Sequence, residues 1–240
     1  MEALGLVATS YNFLHKYLDD PAYSKPSTYS TSSPLDILQR VAKDNRFDGL
    51  FDEPGARNIK PLFQDHEGAV LEHWNSWSIS NPIKQFEDSQ YAATALLVST
   101  YGRGSAKFDF FLVHLLTTSH AVRILIPFIP AQFHLTLVRQ WWLLTLAVYI
   151  AQLRPPIKVQ NILEYELKGR DWKWVGRQAV RNSRSFDAHY VKALRAMKVA
   201  AQTWDDKDEF YLKAAVKFGE EFDGWGGFGQ TNIDGSDDAN

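Results

Sequence analysis

Leu4, Val7, Ala8, Tyr11, Leu14 and Leu18 recur at spacings of three and four, the apolar stripe of an amphipathic helix at the start of the chain. Similar patterns follow over 34–44, 64–77, 83–101, 106–126, 131–153, 171–181, 185–202 and 207–222. Nowhere do apolar and polar positions alternate long enough to predict a strand, and no segment repeats another. Breaks fall where turn chemistry sits: Asp20-Pro21, the Ser/Thr-rich 24–33, Pro54-Gly55, Arg154-Pro155-Pro156 and Gly169. The pattern predicts an all-α protein, an irregular multi-helix array rather than a simple bundle.

The two ends read differently from the middle. Ser33 is placed to cap the helix that opens with Pro34, and Asp36 lies where the helix dipole favours an acid. The first stripe has no such cap before it. One reading is a frayed terminal helix. The other is a chain that opens inside a helix, the N-terminally incomplete C-terminal part of a larger helical domain. On that second reading Leu4, Val7, Tyr11 and Leu14 face a groove that missing N-terminal helices or a partner would cover. From Gly224 the sequence turns Gly-rich and then acidic, which predicts a disordered tail over 224–240 behind a helical domain of residues 1–223.

Composition narrows the function. The 240 residues carry 26 basic and 28 acidic side chains, a net charge of −2 that argues against nucleic acid as a partner. With no cysteine there is no disulfide, thiolate metal site or cysteine nucleophile. The N-terminus lacks the basic start and cleavage-type ending of a signal peptide. The most apolar stretch, 135–153, is interrupted by Arg139 and Gln140, leaving a run well short of the ~20 residues of a spanning helix. These features predict a cytoplasmic protein with no membrane partner. Charge is nonetheless uneven: net +7 over 154–198 and net −7 over 205–240. Solvated helix faces explain this plainly; a basic rim for an anionic substrate or a nicotinamide cofactor's phosphates is the sharper account.

Several polar groups stand out against the apolar pattern. Tyr101-Gly102-Arg103-Gly104-Ser105 lacks the Lys-Ser/Thr ending and preceding strand of a phosphate loop. His66 and His73 are seven residues apart, about 10.5 Å along a helix, too far to grip one metal ion. Either they are same-face polar residues or they line a pocket, with Trp74 beside them in the core or reaching a cavity. His114, in Lys107-Phe108-Asp109-Phe110-Phe111-Leu112-Val113-His114, sits among apolar neighbours on almost every side. It is either a core histidine bonded to Thr117, Thr118 or a carbonyl, or part of a site; His120 lies about 240° further round the same helix. His189, Lys192 and Arg195 fall at i, i+3 and i+6, bringing an imidazole and an ammonium onto one face. That favours a neutral imidazole, an acidic or metal partner, or simply a solvated basic face.

At this point a resemblance emerges. YGRGSAKFDFFLVHLLTTSHAVRILIPFIP followed by WWLLTLAVYIAQLRPPI resembles the core signature of the questin oxidase-like family of fungal and bacterial proteins. HEGAVLEHWNSW and DAHYVKALRAM are similar to two further family segments, the latter with an H-x-x-K-x-x-R pattern. The resemblance implies an oxidoreductase of secondary metabolism that opens anthraquinone-type aromatic polyketide rings, with NADPH, dioxygen and non-haem iron. It also implies iron held by histidines and a carboxylated lysine, which places His114, His189 and Lys192 as metal ligands. His66, His73, Trp74, Thr117 and His120 are then the substrate-binding candidates, and the partner is a small aromatic polyketide. Family proteins are longer, and their upstream H-x-x-H-H and H-P-x-x-H motifs are absent from this sequence. The alternative is a truncated, catalytically inactive helical remnant or interaction protein. No serine or cysteine nucleophile with an activating base suggests a hydrolase.

Overall fold

The computed structural model describes residues 14–100 and 107–229. The protein is predominantly all-α, as the periodicity predicts. After a helical stretch at 14–19 (α1), the chain forms α2 (Pro34–Lys43), α3 (Ile59–Asp65), α4 (Glu67–Asn75) and α5 (Phe86–Ser99). It continues through α6 (Phe110–Leu125), α7 (His134–Ala151), α8 (Gln160–Leu163), α9 (Trp172–Arg181), α10 (Ala188–Trp204) and α11 (Phe210–Glu221). Leu14 and Tyr17 of α1 are buried, whereas Leu4, Val7 and Tyr11 lie outside the described residues.

α6 is the hub, packed against α5, α7 and α10. α5 buries Ala92, Ala93 and Ala95, and α11 buries Ala214 and Ala215; such small side chains let neighbouring helices approach closely. Fully buried Trp142, Tyr149, Tyr190, Phe86 and Phe218 fill the space between. Each such side chain contributes roughly 1.5–3 kcal/mol of transfer free energy. Phe110–Phe128 is long and apolar enough to cross a membrane by length and composition, rather than the 135–153 stretch. Only 39% of that stretch is buried, where α6 packs against α5, α7 and α10, while Ile124, Phe128, Phe133 and Leu135 stay exposed around the α6–α7 turn.

Local chemistry fixes several boundaries. Ser33 accepts from Asp36 N at 3.2 Å, as its position predicted. The helix expected over 64–77 is instead two: the backbone leaves helical geometry at His66, which separates α3 from α4. α3 went unread because Pro61 interrupts its pattern, yet proline is tolerated in a first turn, where backbone N–H groups lack intrahelical partners. After α7, Leu153 and Arg154 adopt positive φ, and the Arg154 guanidinium donates to the carbonyls of Val41, Asp44 and Phe47 and to Asp48 Oδ1. One arginine thereby joins the end of α7 to the end of α2.

The tail is a correction. Residues 225–226 form a strand, β2 (Trp225–Gly226), parallel to β1 (Phe108–Asp109), so order extends past Gly224. Phe228 then packs against Phe110 and Phe111, with ring centroids 5.1 and 5.9 Å apart. A two-residue strand is too short to leave an alternation, and the aromatic side chains between the glycines supply the docking free energy. Residues 230–240 lie outside the described residues.

Candidate functional site

Two aspartates set the geometry. Asp109 caps α6 by accepting from Phe111 N at 2.7 Å and Leu112 N at 2.9 Å. Asp187 caps α10, accepting from His189 N at 2.8 Å and Tyr190 N at 3.1 Å. The segment at 225–227 joins the two caps. Trp225 Nε1 donates to Asp187 Oδ2 at 2.6 Å, and Gly226 is the register partner of Asp109. Oriented to donate, the Gln152 amide reaches Asp109 Oδ2 at 2.7 Å and the Gly227 carbonyl at 3.1 Å. Burial pushes the Asp109 carboxyl up to about 6 even though two backbone N–H groups favour its charged form.

This arrangement brings His114 and His189 together. Their rings lie 4.9 Å apart, and Phe110 packs against both at 4.7 Å. The two helices that carry them, α6 and α10, therefore lie side by side. His114 Nδ1 faces the Phe110 carbonyl at 2.7 Å, so Nδ1 carries the proton in the neutral ring and Nε2 is the accepting nitrogen. His189 Nδ1 lies 3.9 Å from Asp187 Oδ1, and Trp225 packs edge-on against its ring.

His114 also lines a cavity of about 370 Å³ between α6 and α7. Phe110, Phe111, Leu115, Val122, Leu137, Trp141, Leu144 and Val148 form its walls with Thr118 and Gln140, and the lining is almost wholly apolar. That volume falls within the ~300–1,000 Å³ of small-molecule sites. Sequence reasoning missed the α7 wall. Its signal was nevertheless present: Leu137, Gln140, Trp141, Leu144 and Val148 follow helical spacing, and Gln140 reads as an interruption only if the face is solid core.

The other candidates go elsewhere. Thr117 and Thr118 both turn their hydroxyls back to the His114 carbonyl, at 3.3 and 2.6 Å, and of the two it is Thr118 that lines the cavity. His66 sits at the α3–α4 junction, away from the cavity walls. His73, 4% exposed, bridges Tyr29 Oη at 2.6 Å and Asp44 Oδ2 at 2.8 Å. Burial lowers its affinity for a proton, and hydrogen bonds from Arg46 and His73 outweigh the burial of Asp44 to hold that carboxyl well below its usual range. The triad fastens the end of α2 to α4. Trp74 is likewise structural here: its indole donates to the Arg139 carbonyl at 2.9 Å under the Arg139 guanidinium. His120 is not among the residues that line the cavity.

The metal centre implied by the resemblance can be tested on the donor set. A spacing of 4.9 Å allows two imidazoles to share an ion, because His–metal bonds are near 2 Å. Among the described residues, however, no three His, Asp or Glu side chains converge as a metal site. Lys192 is exposed, whereas a lysine carbamate needs a shielded, unprotonated amine. The described residues therefore supply two ligands and do not fit a complete iron shell.

Fold and site together define an all-α protein with a half-open aromatic cavity beside two capped, imidazole-bearing helices. A family model described as questin oxidase-like matches residues 1–197, and the chain belongs to the questin oxidase-like family. Membership suggests an oxidoreductase. No curated protein matches the chain.

Proposed function

We propose that the protein is an oxidoreductase of secondary metabolism that oxidises a planar aromatic polyketide of the anthraquinone type, seated in the α6–α7 cavity. The observation that carries this reading is the cavity itself: aromatic and aliphatic walls, with the His114 imidazole at one side. Flat apolar rings gain most from such a space, and the few polar groups orient them. His114 Nε2 accepts the proton of a ring hydroxyl, raising electron density in the ring to be oxidised, and can return it later. Gln140 offers a hydrogen bond to a quinone carbonyl, and the apolar walls exclude water. For ring opening by oxygen insertion, one atom of dioxygen enters the carbon–carbon bond and the other leaves as water. The two electrons come from a reduced co-substrate, for which the resemblance names NADPH.

The test is binding of a hydroxyanthraquinone, followed by tryptophan quenching, alongside NADPH-dependent oxygen consumption. Leu144→Trp fills the cavity and should abolish binding. His114→Gln should keep affinity within about threefold while lowering turnover at least 100-fold, the usual scale of general acid–base catalysis. Unchanged ligand affinity in a folded Leu144→Trp variant would remove the cavity from the function.

A further inference from the structure

α9 turns a basic face to solvent, and the function proposed for the cavity does not use it. Lys173, Arg177 and Arg181 recur at every fourth position over about 12 Å of helix. At about 100° per residue they span roughly 80° of its circumference, with Val180 beside them and buried Val175 on the opposite side. All three cations are exposed, as is Val180 at 70%. The helix is followed directly by the turn Ser183–Phe186, whose Phe186 is 96% exposed.

Little in the molecule neutralises these charges. Asp171 starts the helix, but its carboxylate is turned to the backbone and accepts from Trp174 N at 2.9 Å. Arg170 and Arg184, at either end, already face Glu220 and Asp223. Lys173, Arg177 and Arg181 have no ion-pair partner within 4 Å among the described residues. Three aligned cations complement a partner that presents many negative charges side by side, and a convex helix face encloses no small molecule. Val180 and Phe186 beside them favour a bilayer, which takes up apolar side chains beneath headgroups that attract the cations. The apolar stretches weighed above concern crossing a bilayer, whereas docking on its surface needs only such a face. We infer that the exposed face of α9, with Phe186, docks the protein on an anionic lipid bilayer. This surface is independent of the reading given to the cavity.

The test is flotation of the full chain with phosphatidylcholine vesicles, plain or with a third of the lipid replaced by phosphatidylserine. Binding to the phosphatidylserine vesicles is expected, about tenfold or more tighter than to the neutral ones. The double variant Arg177→Gln/Arg181→Gln should weaken it about 25-fold, at roughly fivefold per basic side chain near an anionic surface. Lys43→Gln/Lys60→Gln, exposed on α2 and α3, changes net charge equally and should leave binding unchanged. Because the sequence has no cysteine, Phe186→Cys accepts a single polarity-sensitive dye, whose emission should shift to the blue on the vesicles. No binding, equal binding to both vesicles, equal loss in the two double variants, or an unshifted dye on bound protein would overturn the inference. Equally tight binding of a short DNA duplex would do the same, since it would report a surface for polyanions in general.

Discussion

Gly227→Ala is the sharpest probe of how the imidazole pair is assembled. Gly227 has φ +89°, and a Cβ added there would meet Asp109 Oδ2 at 2.4 Å and Oδ1 at 2.9 Å. The carboxylate cannot retreat easily, because it is fixed by Phe111 N, Leu112 N and the Gln152 amide. Two costs combine: about 1–2 kcal/mol for an L-residue in left-handed backbone, and about 1–3 kcal/mol for overpacking a filled space. Gly224 supplies the control, having φ +96° with nothing within 4 Å of an added Cβ. Gly224→Ala should therefore cost only the first contribution. Urea unfolding monitored by circular dichroism gives both values, and the difference isolates the contact with Asp109 at about 1–3 kcal/mol. Should the two variants lose equal stability, the close packing of the 224–229 segment on the α6 cap would be wrong.

Other outcomes follow from groups described above. Asp109 has a folded pKa raised to about 6 from 3.8, so the native state holds the extra proton and stability falls as pH rises through that window. Asp109→Asn, which keeps a capping side chain, should remove this loss, worth at most about 3 kcal/mol, and flatten the stability profile between pH 4 and 7. Denaturation midpoints across that range decide it, and an unchanged slope would refute the assignment. Arg154→Ala should cost about 2–4 kcal/mol, because it strands three carbonyl acceptors at and just beyond the end of α2. Calorimetry showing a loss under 1 kcal/mol would mean that water replaces the guanidinium freely.

Most helices were legible because their apolar spacing is a direct record of burial. Ser33-Pro34-Leu35-Asp36 announced α2 at residue level, since capping is local chemistry. α8, four residues long, and the β1–β2 pair are shorter than any period that a sequence window can resolve. The meeting of His114 and His189 followed from polar centres on otherwise apolar helices, which must pack on something. Their relative position, however, depends on Asp187, Trp225 and Asp109, residues far apart in sequence whose pairing no local pattern records. The cavity was illegible for the same reason: Phe110 and Leu144 have the side chains of core residues, and only tertiary structure shows space beside them. His66, His73 and Trp74 drew notice as polar or aromatic residues near one another, yet two of them satisfy distant backbone or loop partners.

The short ladder between β1 and β2 has a consequence for folding order. Its partners are over a hundred residues apart, a separation that would make loop closure expensive in an open chain. Once α11 has packed against α5 and α10, only residues 222–224 remain to be ordered before Trp225 can dock. The segment therefore adds late and at small entropic cost, and by the same reasoning it detaches first in native fluctuations. In amide hydrogen exchange the β2 protons should be replaced well before those of buried α5, without any general loosening of the helices. His189, already part-exposed, would then lose its Trp225 contact intermittently while the fold that positions it stays intact.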